Sequence, residues 1–149
     1  MHRFVSQTVN KLDTKGRVSV PAQFRQVLAA QQTDGFYCEK AVGDPALNGF
    51  GEAGFADADE RLRQFNPLLS KKYKTQATAI FARARLLSFD DEGRVRLPDD
   101  FIAYAGISDR VLFVGLDRIF EIWNPEAYPT AEAARLEEAL RLYEAGEPT

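Results

Sequence analysis

Residues 12–24 and 89–101 of this chain are two versions of one sequence. Leu12-Asp13-Thr14-Lys15-Gly16-Arg17-Val18-Ser19-Val20-Pro21-Ala22-Gln23-Phe24 aligns with Phe89-Asp90-Asp91-Glu92-Gly93-Arg94-Val95-Arg96-Leu97-Pro98-Asp99-Asp100-Phe101 at a constant offset of 77, with six of thirteen positions identical. The identities are Asp, Gly, Arg, Val, Pro and Phe, and they include the residues whose backbone chemistry is most restrictive. An internal repeat of this kind dictates a duplicated, pseudo-symmetric architecture before any element is assigned.

Each copy has the same physical logic. A strand runs into Asp-x-x-Gly, where the Asp carboxylate bonds the turn backbone and Gly takes the left-handed conformation that closes a short hairpin. Asp13, Gly16, Asp90 and Gly93 therefore shape the turns. The next residues alternate with period two, so Val18 and Val20 face one side while Arg17 and Ser19 face the other, and Val95 and Leu97 oppose Arg94 and Arg96. Pro21 and Pro98 suit a first helical turn, with Phe24, Val27 and Leu28, or Phe101 and Ala105, on the buried face. The second helix ends near Gly106. A further strand follows in each copy, Gly35 to Glu39 and Arg110 to Val114. The second continues through a tight turn into Ile119-Phe120-Glu121-Ile122-Trp123, whereas Gly43 to Gly49 reads as loop.

Between the copies, Phe55 to about Lys74 reads as an amphipathic helix broken near Asn66-Pro67, and Ala77 to Phe89 as a strand leading into the second turn. After Asn124-Pro125, Pro129 delays regular helix until Thr130, and Ala133, Leu136, Leu140 and Tyr143 recur at helical spacing as the face of a docked helix. The expected class is α+β. Residues 1–54 and 77–124 are the two repeats, 55–76 a helical connector and 125–149 a C-terminal helix. Neither half alone has enough core, so the repeats interlock into one small barrel-like unit.

The net charge of −3 conceals a segregated pattern. Residues 1–30 hold Arg3, Lys11, Lys15, Arg17 and Arg25 against Asp13 alone. Residues 61–96 hold nine Arg and Lys against Asp90, Asp91 and Glu92, and the remaining segments are acidic. This permits a basic face on an acidic body. One histidine and one cysteine supply no set of soft ligands, so neither a zinc site nor metal-dependent hydrolysis is expected. The start Met1-His2-Arg3-Phe4-Val5 has no long apolar run, which makes a cytoplasmic protein the expectation.

The doubled Asp-x-x-Gly-Arg hairpin, each copy followed by Val-x-Val/Leu-Pro and then Phe, resembles the MraZ family, whose halves each look like the AbrB-type swapped-hairpin DNA-binding unit. The resemblance runs from about Phe4 to Trp123 and takes in both helical appendages. It implies a bacterial transcriptional regulator, a repressor in its simplest form, acting at the promoter of the cell-division and cell-wall gene cluster. It further implies ring-shaped homo-oligomers, association with the nucleoid, and double-stranded DNA carrying short G-rich direct repeats as partner. No cofactor, membrane or small-molecule substrate is implied. Carried over by position, Arg17 and Arg94 are the first candidates for base contact, because a two-stranded ribbon enters the major groove and arginine bonds both acceptors of a guanine edge. Arg3, Lys11 and Lys15 are candidates for phosphate contact. Asp91 and Glu92 depart from this pattern, since phosphate repels them. Arg83, Arg85 and Arg96 are candidates to compensate.

Other readings are weaker. Gly49-Phe50-Gly51-Glu52-Ala53-Gly54 is a literal G-x-G-x-x-G, yet no apolar strand precedes it and no acidic residue follows at the ribose-binding distance. Aspartates at exposed hairpin tips lack the burial that tunes a catalytic acid, so no enzyme is expected. Cys38 reads as a core thiol, and Phe120 and Trp123 as packing. The more serious rival is an antitoxin-like oligomerisation module that binds another protein and does not read DNA through its hairpins.

Overall fold

The computed structural model describes residues 2–146. Eight strands and five α-helices follow one another as β1 (Gln7–Lys11), β2 (Arg17–Ser19), α1 (Ala22–Ala30), β3 (Gly35–Lys40), β4 (Leu47–Phe50), α2 (Ala56–Leu62), α3 (Lys71–Ala77), β5 (Arg85–Ser88), β6 (Arg94–Arg96), α4 (Asp99–Tyr104), β7 (Arg110–Leu116), β8 (Ile119–Trp123) and α5 (Tyr128–Glu144). A short 3-10 helix, Glu52–Phe55, precedes α2, and a π-helical turn, Thr78–Ala82, continues α3. The class is α+β, as expected. The sheets stay open, however. Six strands lie in the order β1-β7-β8-β4-β3-β5, with β1 and β5 as edges, and β2 and β6 form a separate two-stranded ribbon.

That order is the same from either end once the repeats are exchanged. β1 of the first repeat pairs with β7 of the second, and β5 of the second pairs with β3 of the first. β4 pairs with β8 and β2 with β6 across the pseudo-twofold axis. Every first-repeat strand is thus hydrogen-bonded to the second repeat. Burial drives this arrangement. One sheet face carries Phe36, Cys38, Leu47, Leu87, Val111, Phe113, Phe120 and Ile122, which meet Val18, Val20, Phe24, Leu28, Val95, Leu97 and Phe101 from the ribbon and from α1 and α4 in one continuous core. Phe120 is its hub, with ring centroids of Phe4, Phe24 and Phe36 at 5.0, 5.1 and 5.0 Å. The far end of the ring lies against Gly49, where a Cβ would come within 2.4 Å of it.

The Gly49-x-Gly51-x-x-Gly54 pattern is accordingly a packing device. Gly49 admits Phe120, and Gly54 admits the Phe50 side chain at 2.7 Å from an added Cβ. The segment read as loop contributes β4 from Leu47 onward, held between β3 and β8. Two further expectations need correction. Residues 77–82 continue as helix and the strand starts only at Arg85, because Phe81 packs on Phe55 with centroids 4.8 Å apart. α5 begins at Tyr128 with Pro129 inside its first turn, where a missing N–H costs nothing. It docks through Tyr128 and the neighbouring Ala131, whereas Leu136, Leu140 and Tyr143 are 64%, 58% and 79% exposed. The stripe expected to face the core faces outward. No helix among the described residues is long and apolar enough to cross a membrane.

Candidate nucleic-acid interface

The two repeated turns have the same geometry, bond for bond. Asp13 Oδ1 accepts the backbone N–H groups of Lys15 and Arg17, each at 2.9 Å, and Asp90 Oδ1 accepts those of Glu92 and Arg94 at the same distance. Gly16 and Gly93 close the turns at φ 80° and 77°. The second carboxylate oxygen then receives the arginine: Arg17 Nε donates to Asp13 Oδ2 at 2.8 Å and Arg94 Nε to Asp90 Oδ2 at 2.9 Å. Each turn is also tied to the other repeat, since Leu97 N–H donates to the Gly16 carbonyl and Val20 N–H to that of Gly93.

These bonds set the acidity of the aspartates. The Arg17 and Lys15 backbone N–H groups, with the Arg17 guanidinium, hold the Asp13 carboxyl at about 2 instead of 3.8. Asp90 is lowered for the same reasons, with the Arg94 backbone N–H as the largest cause. A base or acid working near neutrality needs the opposite shift. Because the folded value is depressed, the ionised carboxylate stabilises the turn fully above about pH 4, and that contribution is lost as pH falls through about 2. Carbon-detected NMR titration should place the Asp13 midpoint near 2. In Arg17→Ala it should rise yet stay below 3.8, since the turn N–H groups remain. A midpoint at the ordinary value in wild type contradicts the geometry.

Antiparallel pairing of β2 with β6 places Arg17 opposite Arg96 and Ser19 opposite Arg94, while Val18 and Val95 pair beneath them and are each 1% exposed. Three guanidinium groups therefore share the outward face of a two-stranded ribbon. Like charges directly opposed across a ladder, as Arg17 and Arg96 are, destabilise the pairing, so the ribbon carries its charge against the interest of the fold. The asymmetry between turns is equally informative. Among the described residues, the two Nη groups of Arg17 bond to nothing, whereas Arg94 Nη2 lies 3.6 Å from the Glu92 carboxylate.

The remaining candidates separate into those near the ribbon and those away from it. Lys15 is at the first tip. Lys11 is exposed at the end of β1 but shares the sheet face opposite the main core. Arg3 sits beside Asp117, 3.7 Å away, beyond the opposite end of β1 from Lys11. Arg83 donates to the Lys40 carbonyl, and Arg85 grips Asp100 with two bonds of 2.9 and 3.0 Å over the Phe101 ring. These two lie at the far end of β5 from the second turn. One cation was missed by sequence reasoning. Arg25 on α1 donates from Nε to the Val20 carbonyl and lies against Gly93, where an added Cβ would be 2.8 Å from Nη1. It counts in the basic block of residues 1–30, but that block gave no reason to single it out. Cys38 is fully buried, and burial pushes its thiol far above the usual range.

Comparison with known proteins places the chain in a family. A family described as "MraZ protein, putative antitoxin-like" matches residues 80–142. The chain is 41% identical over 143 residues to the transcriptional regulator MraZ of Xanthobacter autotrophicus, covering 95% of this chain and 90% of that protein. The chain belongs to the MraZ family. MraZ of Azorhizobium caulinodans is 38% identical over 141 residues, covering 95% and 88%, and MraZ of Rickettsia bellii 37% over 145 residues, covering 95% and 96%. These MraZ proteins carry the name transcriptional regulator, and the chain is accordingly a regulator of transcription and not an enzyme.

Proposed function

We propose that the β2–β6 ribbon reads double-stranded DNA in the major groove, with Arg17 and Arg94 contacting guanine edges. The supporting observation is the Asp-buttressed arginine. Asp13 fixes Nε of Arg17 and leaves the Nη groups for a second, outward partner, and a guanine O6/N7 pair matches what arginine offers. Arg96 and Lys15 add positive charge at the same face, and Arg3, Lys11, Arg83 and Arg85 contribute only where DNA extends beyond the ribbon.

The reading extends to a repressor of the bacterial cell-division and cell-wall gene cluster, bound at direct repeats in its promoter. A ring of copies suits such repeats, because several modest basic ribbons act together through effective concentration. Self-association has two complementary faces available. α5 exposes Leu136, Leu140 and Tyr143 beside Glu137 and Glu144, while the 63–74 part of the connector, which has no acidic residue, exposes Leu68 and Leu69 beside Arg63, Lys71, Lys72 and Lys74.

The test is fluorescence anisotropy with the duplex from upstream of the protein's own gene and a scrambled duplex, across a salt series. Native-duplex preference with a steep salt slope supports the reading. Equal, weak binding to both overturns it in favour of a protein partner. The acidic second tip supplies a gain-of-function check. Asp91→Thr with Glu92→Lys makes it match the first, frees Arg94 from Glu92, and should tighten binding about tenfold near 0.1 M salt while steepening the slope by about one.

A further inference from the structure

The pseudo-twofold relation makes each half a template for the other, and on the outer sheet face the two halves are filled differently. The strand registers place Phe50 and Trp123 at equivalent positions, and likewise Asn48 and Glu121. Phe55 and Tyr128, five residues further on, pack against these rings edge-on at 4.9 and 5.3 Å. Across that face runs one row of paired residues, Val114, Glu121, Asn48 and Glu39.

In the second half the carboxylate in this row is answered. Glu121 is 4% exposed and receives Arg135 of α5 through two bonds of 2.7 and 3.0 Å. The same guanidinium reaches Asp44 at 3.1 Å and lies over the Trp123 ring, 5.7 Å from its centroid. A buried carboxylate, a second acid from a loop and an aromatic wall together hold one guanidinium.

In the first half the equivalent aromatic pair borders an open space, and the carboxylate of the row, Glu39, stands at the position of Val114, one strand over from that of Glu121. A cavity of about 280 Å³ is lined by Glu39, Asn48, Phe50, Phe55, Asp57 and Arg61, among others. Glu39 Oε2 is buried there without a hydrogen-bond partner among the described residues. The nearby cations are otherwise engaged or do not reach: Arg118 bonds Asp57, Arg83 bonds the Lys40 carbonyl, and Arg61 makes no ion pair within 4.0 Å among the described residues. Burial pushes the Glu39 carboxyl up, against the pull of Asn48 and Arg83, as befits a carboxylate that lacks its counter-charge. The α2 residue equivalent to Arg135 is the buried Leu62, so this helix sends no guanidinium into the space from that position.

We propose that the cavity over Glu39 is a binding site for a small organic cation, a guanidinium or alkylammonium group, held as Arg135 is held in the other half. The apolar walls favour a ligand with a short alkyl stem, and the site lies on the sheet face opposite the ribbon, so its occupancy does not depend on the DNA reading.

The test uses the full-length protein with butylguanidinium and its neutral isostere butylurea as probes, followed by 1H–15N NMR and calorimetry. Butylguanidinium should shift the Asn48 and Gly54 signals saturably, with a dissociation constant of about 1 mM or tighter, and butylurea should bind at least about tenfold more weakly. Glu39→Gln should cost about tenfold or more in affinity. Ala79→Phe, which narrows the mouth from an exposed position and leaves Glu39 in place, should also abolish the shifts. Arg17→Ala with Arg94→Ala should bind butylguanidinium as wild type does. Absent shifts, equal response to the two probes, or undiminished affinity in a folded Glu39→Gln protein overturns the site.

Discussion

Arg17→Ala combined with Arg94→Ala is expected to reduce preference for the native promoter duplex over a scrambled one by at least about thirtyfold, leaving weak, salt-sensitive binding to both. The size follows from the chemistry. One bidentate arginine–guanine contact discriminates by about 1–3 kcal/mol, and two such contacts disappear in each protomer. The non-specific remainder persists because Lys15 and Arg96 still attract phosphate. The fold should survive, since both side chains lie on the outward ribbon face and Val18 and Val95 remain paired beneath. Circular dichroism and gel filtration establish this alongside the anisotropy measurement. Undiminished preference in a folded double variant removes these arginines from the reading mechanism.

The second large effect concerns the chain itself. Fragments 1–76 and 77–149, made separately, should each lack a cooperative unfolding transition, and mixing them should restore one. Alone, the first fragment keeps only the β3–β4 pair, because β1, β2, β3 and β4 all draw partners from the second. Self-pairing does not rescue either fragment. In a symmetric dimer of the second half, Ile122 would stand where Gly49 stands against Phe120, a place without room for even a Cβ. In a dimer of the first half, Leu47 would replace Phe120 opposite Gly49 and leave the core short of its central ring. The four-part division of the chain is thus proposed as a division of sequence, with folding shared between the repeats. Independent, cooperative folding of residues 1–76 contradicts this.

What was legible in the sequence was local. Asp-x-x-Gly-Arg specifies its turn through bonds spanning four residues, and period-two alternation after it determines which arginines face outward. Helix α1 announced itself through Pro21 and the Phe24, Val27, Leu28 spacing. Elements fixed by distant partners were not legible. Leu47–Phe50 has the composition of a loop and becomes a strand because β3 and β8 supply its bonds and Phe120 requires the glycine. Residues 78–82 read as strand but serve Phe55 better as a π-helical turn. The same limit applies to the interface. Arg17, Arg94 and Arg96 converge by strand alternation, whereas Arg85 finds Asp100 fifteen residues away and Arg3 finds Asp117 across the sheet, relations no spacing rule encodes.

Joining both halves in one polypeptide has a genetic consequence. In a homodimer every substitution arrives twice, at both ends of the symmetry axis; in a duplicated gene it arrives once. An arginine at the position of Arg96, copied into both halves, would create two opposed Arg–Arg pairs on the ribbon. Here its counterpart is Ser19, which faces Arg94, so the repulsion occurs a single time. The two tips have likewise become free to diverge, one toward Thr14-Lys15 and the other toward Asp91-Glu92. Duplication followed by fusion lets selection tune the two tips of one ribbon separately, which a homodimer of identical subunits cannot do.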